Sequence, residues 1–224
     1  VFYSKKVVGV FNTDAEAAAY TAQPFAKAGD FKFLDVDKNG KIDDNDRLVT
    51  GSPHPDYFFG FNNTFSYGAF SLDVLTNGMM GQKIFASLFA VNNSAVQNNL
   101  AFVDEARWRS PSQPGSGKYG SFGRTIRGGK NDNFTYSSWS LFNASFYRIR
   151  QINLNYNLPA SVISRLRLQS ARAYIGINNV YTFTDYPGYD PEVGNGGDTQ
   201  TVFGVDFGTY PLARSFTLGI NIGF

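Results

Sequence analysis

The C-terminal segment, residues 211–224, alternates from Ser215 onward between small or polar and larger apolar side chains. A period of two predicts a β-strand with one apolar face. That face would be buried in a soluble β-sandwich, whereas in an outer-membrane β-barrel it would contact lipid. Because the strand ends on an aromatic residue, we expect its apolar side chains to form an outer-membrane assembly signal: Phe216, Leu218, Ile220, Ile222 and Phe224.

The composition agrees with a β-rich chain that has little chemistry of its own. Charged residues make up 17% of the 224 residues, whereas about a quarter is usual in soluble domains. No apolar run approaches the ~20 residues of a membrane-spanning helix. The absence of cysteine excludes disulfides, and a net charge of +2 does not favour nucleic-acid binding. The single histidine, His54, lies between prolines without a nucleophile motif, so we expect no catalytic role.

Five further segments alternate in the same way: 5–11, 57–67, 69–83, 141–158 and 168–183. The turns at Gly68 and at 159–167 are short, whereas the connections 12–56, 84–140 and 184–210 are long. This alternation of loop lengths is typical of an outer-membrane barrel, and irregular loops this long are uncommon in compact domains. We also expect a helix to begin at Asp14, which would act as its N-cap.

About six strands cannot close a membrane barrel, since the smallest have about eight. The sequence therefore predicts an all-β chain in which residues 1–224 form part of a larger antiparallel transmembrane barrel. The alternative is a complete soluble sandwich.

A twelve-residue calcium-loop pattern begins at Asp35. Its oxygen donors would be Asp35, Asp37, Asn39, the backbone carbonyl of Lys41, Asp43 and Asp46, with Gly40 at the sharp turn. The flanks differ from an EF-hand, because residues 29–34 alternate like a strand and position 12 is Asp rather than Glu. We expect a structural Ca²⁺ site; the alternative is an Asx-rich turn stabilised by its own side chains.

Several motifs together resemble the SusC/RagA family of TonB-linked outer-membrane transporters. They are Gly29-Asp30, the loop 35–47, the turn 51–56, and the segments 144–152, 178–184, 188–193 and 210–216, followed by the terminal Phe224. They occur in the family's order over nearly the whole chain. The segment 107–111 is less regular than the corresponding family motif.

The resemblance implies a 22-stranded barrel in the outer membrane, with long loops outside and the C-terminus in the periplasm. It also implies a plug domain and TonB box outside this chain, a SusD-like lipoprotein lid, and drive from the TonB-ExbB-ExbD complex. The imported substrates would be oligosaccharides or peptides.

Two other functions are compatible with the residues. One is a secreted or surface β-rich adhesin or glycan-binding module stabilised by calcium. An enzyme is disfavoured, because the acid pairs Asp104/Glu105 and Asp190/Glu192 are close neighbours in loops, unlike a glycosidase pair.

Overall fold

The computed structural model describes residues 1–87, 101–115, 123–124, 133, 136–192 and 203–224. Strands dominate these residues, so the predicted all-β class is confirmed. The chain forms two compact units. The sheet unit comprises Pro55–Gly81, Ala144–Asp185 and Tyr210–Phe224; the loop unit comprises Val1–His54, Gln82–Asn143 and Tyr186–Thr209. Among the described residues, no helix combines the length and the apolar character needed to cross a membrane.

The sheet unit is one five-stranded antiparallel sheet. Its strands are β5 (Tyr57–Tyr67), β6 (Phe70–Met80), β9 (Phe146–Asn157), β10 (Ser170–Thr184) and β12 (Ser215–Gly223). Their order across the sheet is β12-β10-β9-β6-β5. These are five of the six alternating segments of the sequence. Strand neighbours in the sheet are mostly neighbours in the chain, as expected for antiparallel strands joined by turns.

Both short connections predicted from the sequence lie within the sheet unit. Tyr67 pairs with Phe70 across a tight turn in which Gly68 has φ 57°, a conformation that glycine adopts without a Cβ clash. A short helix, α3 (Ala160–Arg165), follows Pro159 and joins β9 to β10. Proline suits this position because it has no backbone N–H to leave unpaired at the helix start.

Two register shifts interrupt the otherwise regular pairing. One lies between Leu75 and Thr76 opposite β9, and the other between Asn178 and Tyr181 opposite β9. In the second, Asn179 has φ 52°, and Arg214 Nη2 donates to the carbonyl of Val180 at 2.6 Å. The side chain of Arg214, just before β12, thus holds the backbone of the bulge in β10.

The described residues of the loop unit form three small sheets. β1 (Phe2–Lys5) pairs with β4 (Arg47–Gly51), and β2 (Val7–Val10) pairs with β3 (Phe31–Phe33). β7 (Lys83–Ala86) lies between β8 (Leu141–Asn143) and β11 (Val205–Asp206). The described helices are α1 (Asp14–Ala19) and α2 (Ala101–Ala106), with 3-10 turns at Asp44–Asp46 and Ser138–Ser140.

The three long connections are more ordered than the sequence indicated. Together with the short strands beside them, they form the loop unit, whose buried apolar side chains include Phe11, Phe31, Ile84, Phe142 and Tyr186, all at most 7% exposed. The rings of Phe142 and Tyr186 lie 6.4 Å apart although the two residues are far apart in the chain. Each segment by itself has too few apolar residues to form a core. The sequence of a single segment therefore does not predict the core of the loop unit. Much of 88–135 lies outside the described residues.

Three local predictions need correction. Segment 5–11 is not one strand, because Lys5 ends β1 and Val7 begins β2, and these strands pair in different sheets. Segment 141–158 is divided in the same way, because Leu141–Asn143 form β8 in the loop unit and Phe146–Asn157 form β9 in the sheet unit. Helix α1 is capped by Thr13, whose Oγ1 accepts from Glu16 N at 3.1 Å. Asp14 instead accepts from Ala28 N at 2.9 Å. The strand divisions come from pairing with residues that are distant in the chain. The capping error arises because Thr13, next to Asp14, is a second suitable capping residue.

Candidate membrane face and metal centre

The sheet unit has one face that is apolar across all five strands. The pairing register places Phe61, Leu72, Leu154, Ile175 and Leu218 on this face. Several of its side chains are largely exposed, including Leu218 at 82%. An apolar surface this continuous is unusual for a monomer in water and is typical of a surface that contacts lipid or a partner.

Aromatic rings lie near both ends of this apolar face. At one end the rings form a row with centroid separations of 4.7 to 6.4 Å: Tyr57, Phe59, Tyr147, Phe183 and Tyr181. At the end with the short turns lie Tyr67 and the pair Phe70–Tyr156, whose centroids are 4.7 Å apart. Mainly aliphatic residues separate the two groups. From Tyr57 to Tyr67 the strand covers about 33 Å, which a tilt of ~40° reduces to about the 25 Å of a membrane-barrel apolar band.

The opposite face is polar and rich in amides. Asn155 Nδ2 donates to Asp73 Oδ2 at 2.9 Å, and Thr64 Oγ1 donates to Asp73 Oδ1 at 2.7 Å. Tyr174 lies over Gly219 so closely that a Cβ there would come within 2.3 Å of the ring. Such a face suits the wet interior of a barrel, where amides remain hydrogen-bonded.

The predicted assembly signal lies entirely on the apolar face of β12 and just beyond it. The exposed fractions are 70% for Phe216, 82% for Leu218, 66% for Ile220, 51% for Ile222 and 84% for Phe224. The alternation read from the sequence is therefore a real separation of two faces.

The calcium-loop pattern brings three carboxylates together. Ligand oxygens of Asp35, Asp37 and Asp46 all lie within 4.8 Å of one another. Asp35 Oδ1 is buried and accepts no hydrogen bond from the residues that the structure describes, while Asp35 Oδ2 accepts from Gly40 N at 3.0 Å. A buried carboxylate oxygen without a donor beside two further carboxylates is a favourable environment for a hard cation.

The other predicted donors have local roles. Asn39 Oδ1 accepts from Lys41 N at 2.8 Å, and Asp43 caps the 3-10 turn by accepting from Asn45 N at 2.8 Å. Asp43 is not part of the three-carboxylate group. Asp46 is fully buried and accepts from Val36 N at 2.7 Å and from Asp43 N at 2.8 Å. Some side chains of this loop therefore stabilise its turns, as in the Asx-turn alternative, while Asp35, Asp37 and Asp46 form the carboxylate cluster.

Side chains from the segment after α1 hold the strand that leads into this loop. Gln23 brackets β3 by donating to the Phe31 carbonyl at 3.0 Å and accepting from Phe33 N at 2.8 Å. Tyr20 OH donates to the Phe33 carbonyl at 2.7 Å. Burial raises the pKa of Tyr20, although the hydrogen bond from the Asp35 backbone partly opposes this rise. The phenol therefore keeps the proton that it donates.

A buried ion pair anchors the other end of β3, and sequence reasoning did not find it. Asp30 is fully buried and accepts from Arg124 Nε at 2.7 Å and from Arg124 Nη2 at 3.2 Å. Asn133 Nδ2 donates to Asp30 at 3.2 Å, and its Oδ1 accepts from Phe31 N at 2.9 Å. The only local sign was an aspartate after Gly29, a glycine whose φ of 87° turns the chain against Trp108.

Another buried carboxylate lies at β11. Asp206 is 3% exposed and accepts from Tyr186 OH at 2.6 Å and from the backbone N–H groups of Gly208 and Thr209. Burial strongly raises the pKa of Tyr186, and the hydrogen bond to Asp206 raises it further. This phenol is a structural donor that joins two parts of one long connection.

Comparison with known proteins identifies the class of chain to which this geometry belongs. TonB-dependent receptor P3 of Formosa agariphila is 33% identical over 196 residues, which cover 86% of this chain and 19% of that protein. TonB-dependent receptor SusC of Bacteroides thetaiotaomicron is 25% identical over 198 residues, covering 86% of this chain and 17% of that protein. The chain belongs to the SusC-like TonB-dependent receptors. It spans about a fifth of the length of these relatives.

Solved structures agree with this assignment at the level of the fold. The RagAB peptide importer in the open-open state matches with a TM-score of 0.70 at 20% identity, over 100% of this chain and 22% of that one. No family model matches the chain. TonB-dependent receptors are outer-membrane proteins, and the five-stranded sheet of this chain matches a fragment of their β-barrel.

The acid pairs and the histidine do not assemble a catalytic site among the described residues. Asp104 pairs with Arg107 and Arg109 at 2.9 Å each, and the hydrogen bond from Arg107 lowers the pKa of Asp104. Asp190 Oδ1 accepts from Glu192 N at 2.9 Å, and His54 stacks on Phe203. This arrangement is consistent with the relatives, which are named as receptors and not as enzymes.

Proposed function

We propose that this SusC-like chain forms part of a TonB-dependent importer that takes up oligosaccharides or peptides across the outer membrane. The observation that carries the proposal is the two-faced sheet, with an exposed apolar band on one side and a hydrogen-bonded amide face on the other. A lipid-facing wall around a wet interior requires this separation. Homology to named receptors supports the same function.

The orientation follows from the lengths of the connections. Short connections at Gly68 and at 159–167 join strands at one end, and the long segments of the loop unit join them at the other. Outer-membrane barrels have short periplasmic turns and longer extracellular loops. The C-terminus would therefore be periplasmic, and the loop unit would form extracellular structure.

The partners are those of a SusC-like importer. A SusD-like lipoprotein would cover the extracellular side, and the TonB-ExbB-ExbD complex would act through the parts of the protein outside this chain. A calcium-stabilised adhesin is the weaker alternative, because a secreted module would have to bury the apolar band of the sheet unit against something else.

Uptake by the intact receptor tests the importer proposal. We expect cells lacking the receptor gene to lose uptake of one peptide or oligosaccharide class, and a protonophore to abolish the same uptake in wild-type cells. A heat-modifiable band of the extracted receptor should accompany transport. Unchanged uptake in the deletion strain across peptide and oligosaccharide panels would contradict the proposal.

The strand β12, with its terminal Phe224, would serve as the signal for barrel assembly. Its five apolar side chains lie on the lipid face and are all more than half exposed. An exposed alternating strand of this kind offers one uninterrupted apolar edge to the insertion machinery.

The loop 35–46 would hold a structural Ca²⁺ ion. Asp35, Asp37 and Asp46 supply converging carboxylates, and Asp35 Oδ1 has no hydrogen-bond donor in the described part of the chain. Asn39 and the Lys41 carbonyl occupy the remaining ligand positions of the pattern, with Asp43 acting through water. Bound Ca²⁺ would stiffen the loop on the extracellular side for lid contact or substrate capture.

Calcium titration of the intact receptor by calorimetry tests the metal proposal. We expect a binding heat for the wild type and roughly tenfold or still weaker binding for Asp35→Ala, because the variant removes one ligand oxygen and one of the three converging carboxylates. Asp44→Ala is the matched control, since Asp44 lies in the same loop but pairs with Arg47 at 2.8 Å and is 80% exposed. No calcium-dependent heat in the wild type, or equal loss in both variants, would contradict the site.

A further inference from the structure

The connection between β9 and β10 carries an exposed apolar edge. Val162 and Leu166 lie one helical turn apart in and just after α3, and are 37% and 57% exposed. Residues four apart face the same side of a helix. This six-residue helix therefore presents a small apolar patch outward, although Ile163 and Leu168 are less exposed.

Two arginine side chains flank this patch. Among the described residues, the guanidinium groups of Arg165 and Arg167 form no hydrogen bond or ion pair. No acidic residue occurs from Leu158 to Thr184. The positive charge of the connection is therefore free to attract an anion from outside the chain.

Arg167 also occupies a position that normally selects glycine. Its φ is 54°, and it ends α3 with Arg167 N donating to the Ser164 carbonyl and Leu168 N to the Ile163 carbonyl. Glycine is the usual residue at this left-handed position after a helix. An arginine here suggests that its side chain has a use beyond ending the helix.

The connection adjoins one aromatic group of the lipid-facing surface. β9 ends beside the Phe70–Tyr156 ring pair, and Tyr67 is 89% exposed at the neighbouring turn. Aromatic side chains mark the headgroup level of a bilayer. A short segment there with apolar residues beside arginines matches the chemistry of an interfacial anchor.

We propose that Arg165 and Arg167 bind the phosphate of anionic phospholipids in the adjacent leaflet, while Val162 and Leu166 contact the acyl boundary. The inference rests on the proposed barrel orientation, in which this connection is periplasmic. Phospholipid headgroups then lie at the same depth as the two guanidinium groups. Each arginine should strengthen retention of anionic lipid about fivefold at low salt.

Lipid retention by the full-length receptor tests the proposal. The receptor is purified in detergent, exposed to phosphatidylglycerol or phosphatidylcholine, and analysed by native mass spectrometry. We expect the double variant Arg165→Gln/Arg167→Gln to retain phosphatidylglycerol about 25-fold less tightly, with phosphatidylcholine unchanged. The control Arg172→Gln removes a charge from the polar face of β10 and should retain phosphatidylglycerol as the wild type does.

A second variant separates lipid binding from folding of the turn. Arg167→Gly suits the left-handed backbone, so it should keep the heat-modifiable barrel intact while weakening phosphatidylglycerol retention about fivefold. Equal retention by the wild type, Arg167→Gly and the double variant would show that the arginines serve only to end the helix. That result would not count against the proposed import function. The import function itself would be contradicted if the wild-type receptor gave no heat-modifiable band. Preferential retention of lipopolysaccharide at these arginines would also overturn the inference.

Discussion

Replacing Leu218 by arginine should remove most of the assembled receptor from the outer membrane. Leu218 lies near the middle of β12, pairs with Ile175 and is 82% exposed on the apolar face. An arginine at the bilayer midplane costs about 2–4 kcal/mol in a membrane barrel. We therefore expect the heat-modifiable band to fall by roughly 30-fold or more relative to total receptor.

The neighbouring position provides the control. Thr217 lies on the polar face opposite Gly176, so Thr217→Arg should assemble close to the wild-type level. Equal loss in both variants would mean that β12 tolerates no arginine on either side, which contradicts the assignment of faces.

Phe224→Ser tests the end of the assembly signal separately: it should lower the amount of assembled barrel and preserve transport per molecule. Normal assembly of Phe224→Ser would remove Phe224 from the signal.

Replacing Arg124 by alanine should destabilise the loop unit by about 3 kcal/mol. The substitution leaves Asp30, which is fully buried, without its charge partner. Breaking a buried pair costs ~3–5 kcal/mol, and the lower end applies because Arg124 is 32% exposed. Hydrogen exchange at the Phe31 amide, which donates to Asn133, should accelerate about a hundredfold in the intact receptor.

Two further variants identify the cause of this destabilisation. Asp30→Asn added to Arg124→Ala removes the unpaired charge and should recover part of the protection. Asp44→Ala breaks an exposed pair with Arg47 and should change stability by less than ~1 kcal/mol. Unchanged exchange at Phe31 in Arg124→Ala would show that Asp30 and Asn133 hold β3 without the arginine.

The sheet unit could be predicted from the sequence because its pattern is local. Each of β5, β6, β9, β10 and β12 carries its own period of two, so the separation of faces is written into every strand. The short turn at Gly68 likewise depends on one residue with a positive φ. The sequence pattern did not predict register shifts such as the one after Asn178, because a register shift depends on how two strands pair.

The loop unit could be predicted only in part. The spacing from Asp35 to Asp46 lies within one loop, and three of its carboxylates do converge. The calcium assignment itself stays a prediction. The core of this unit and the division of residues 5–11 between two sheets depend on segments that are far apart in the chain.

The sequence alone determined the strands of the sheet unit, their apolar and polar faces and the family, because alternation and motif order need no knowledge of distant partners. Tertiary structure alone decided that Asp30 would meet Arg124 and Asn133 across 94 and 103 residues. It also decided that Tyr186 would donate to Asp206. The physical reason is that a buried charge needs an oppositely charged or hydrogen-bonding partner. Residues far apart in the chain become neighbours only in the folded structure, and no local sequence pattern shows which ones do.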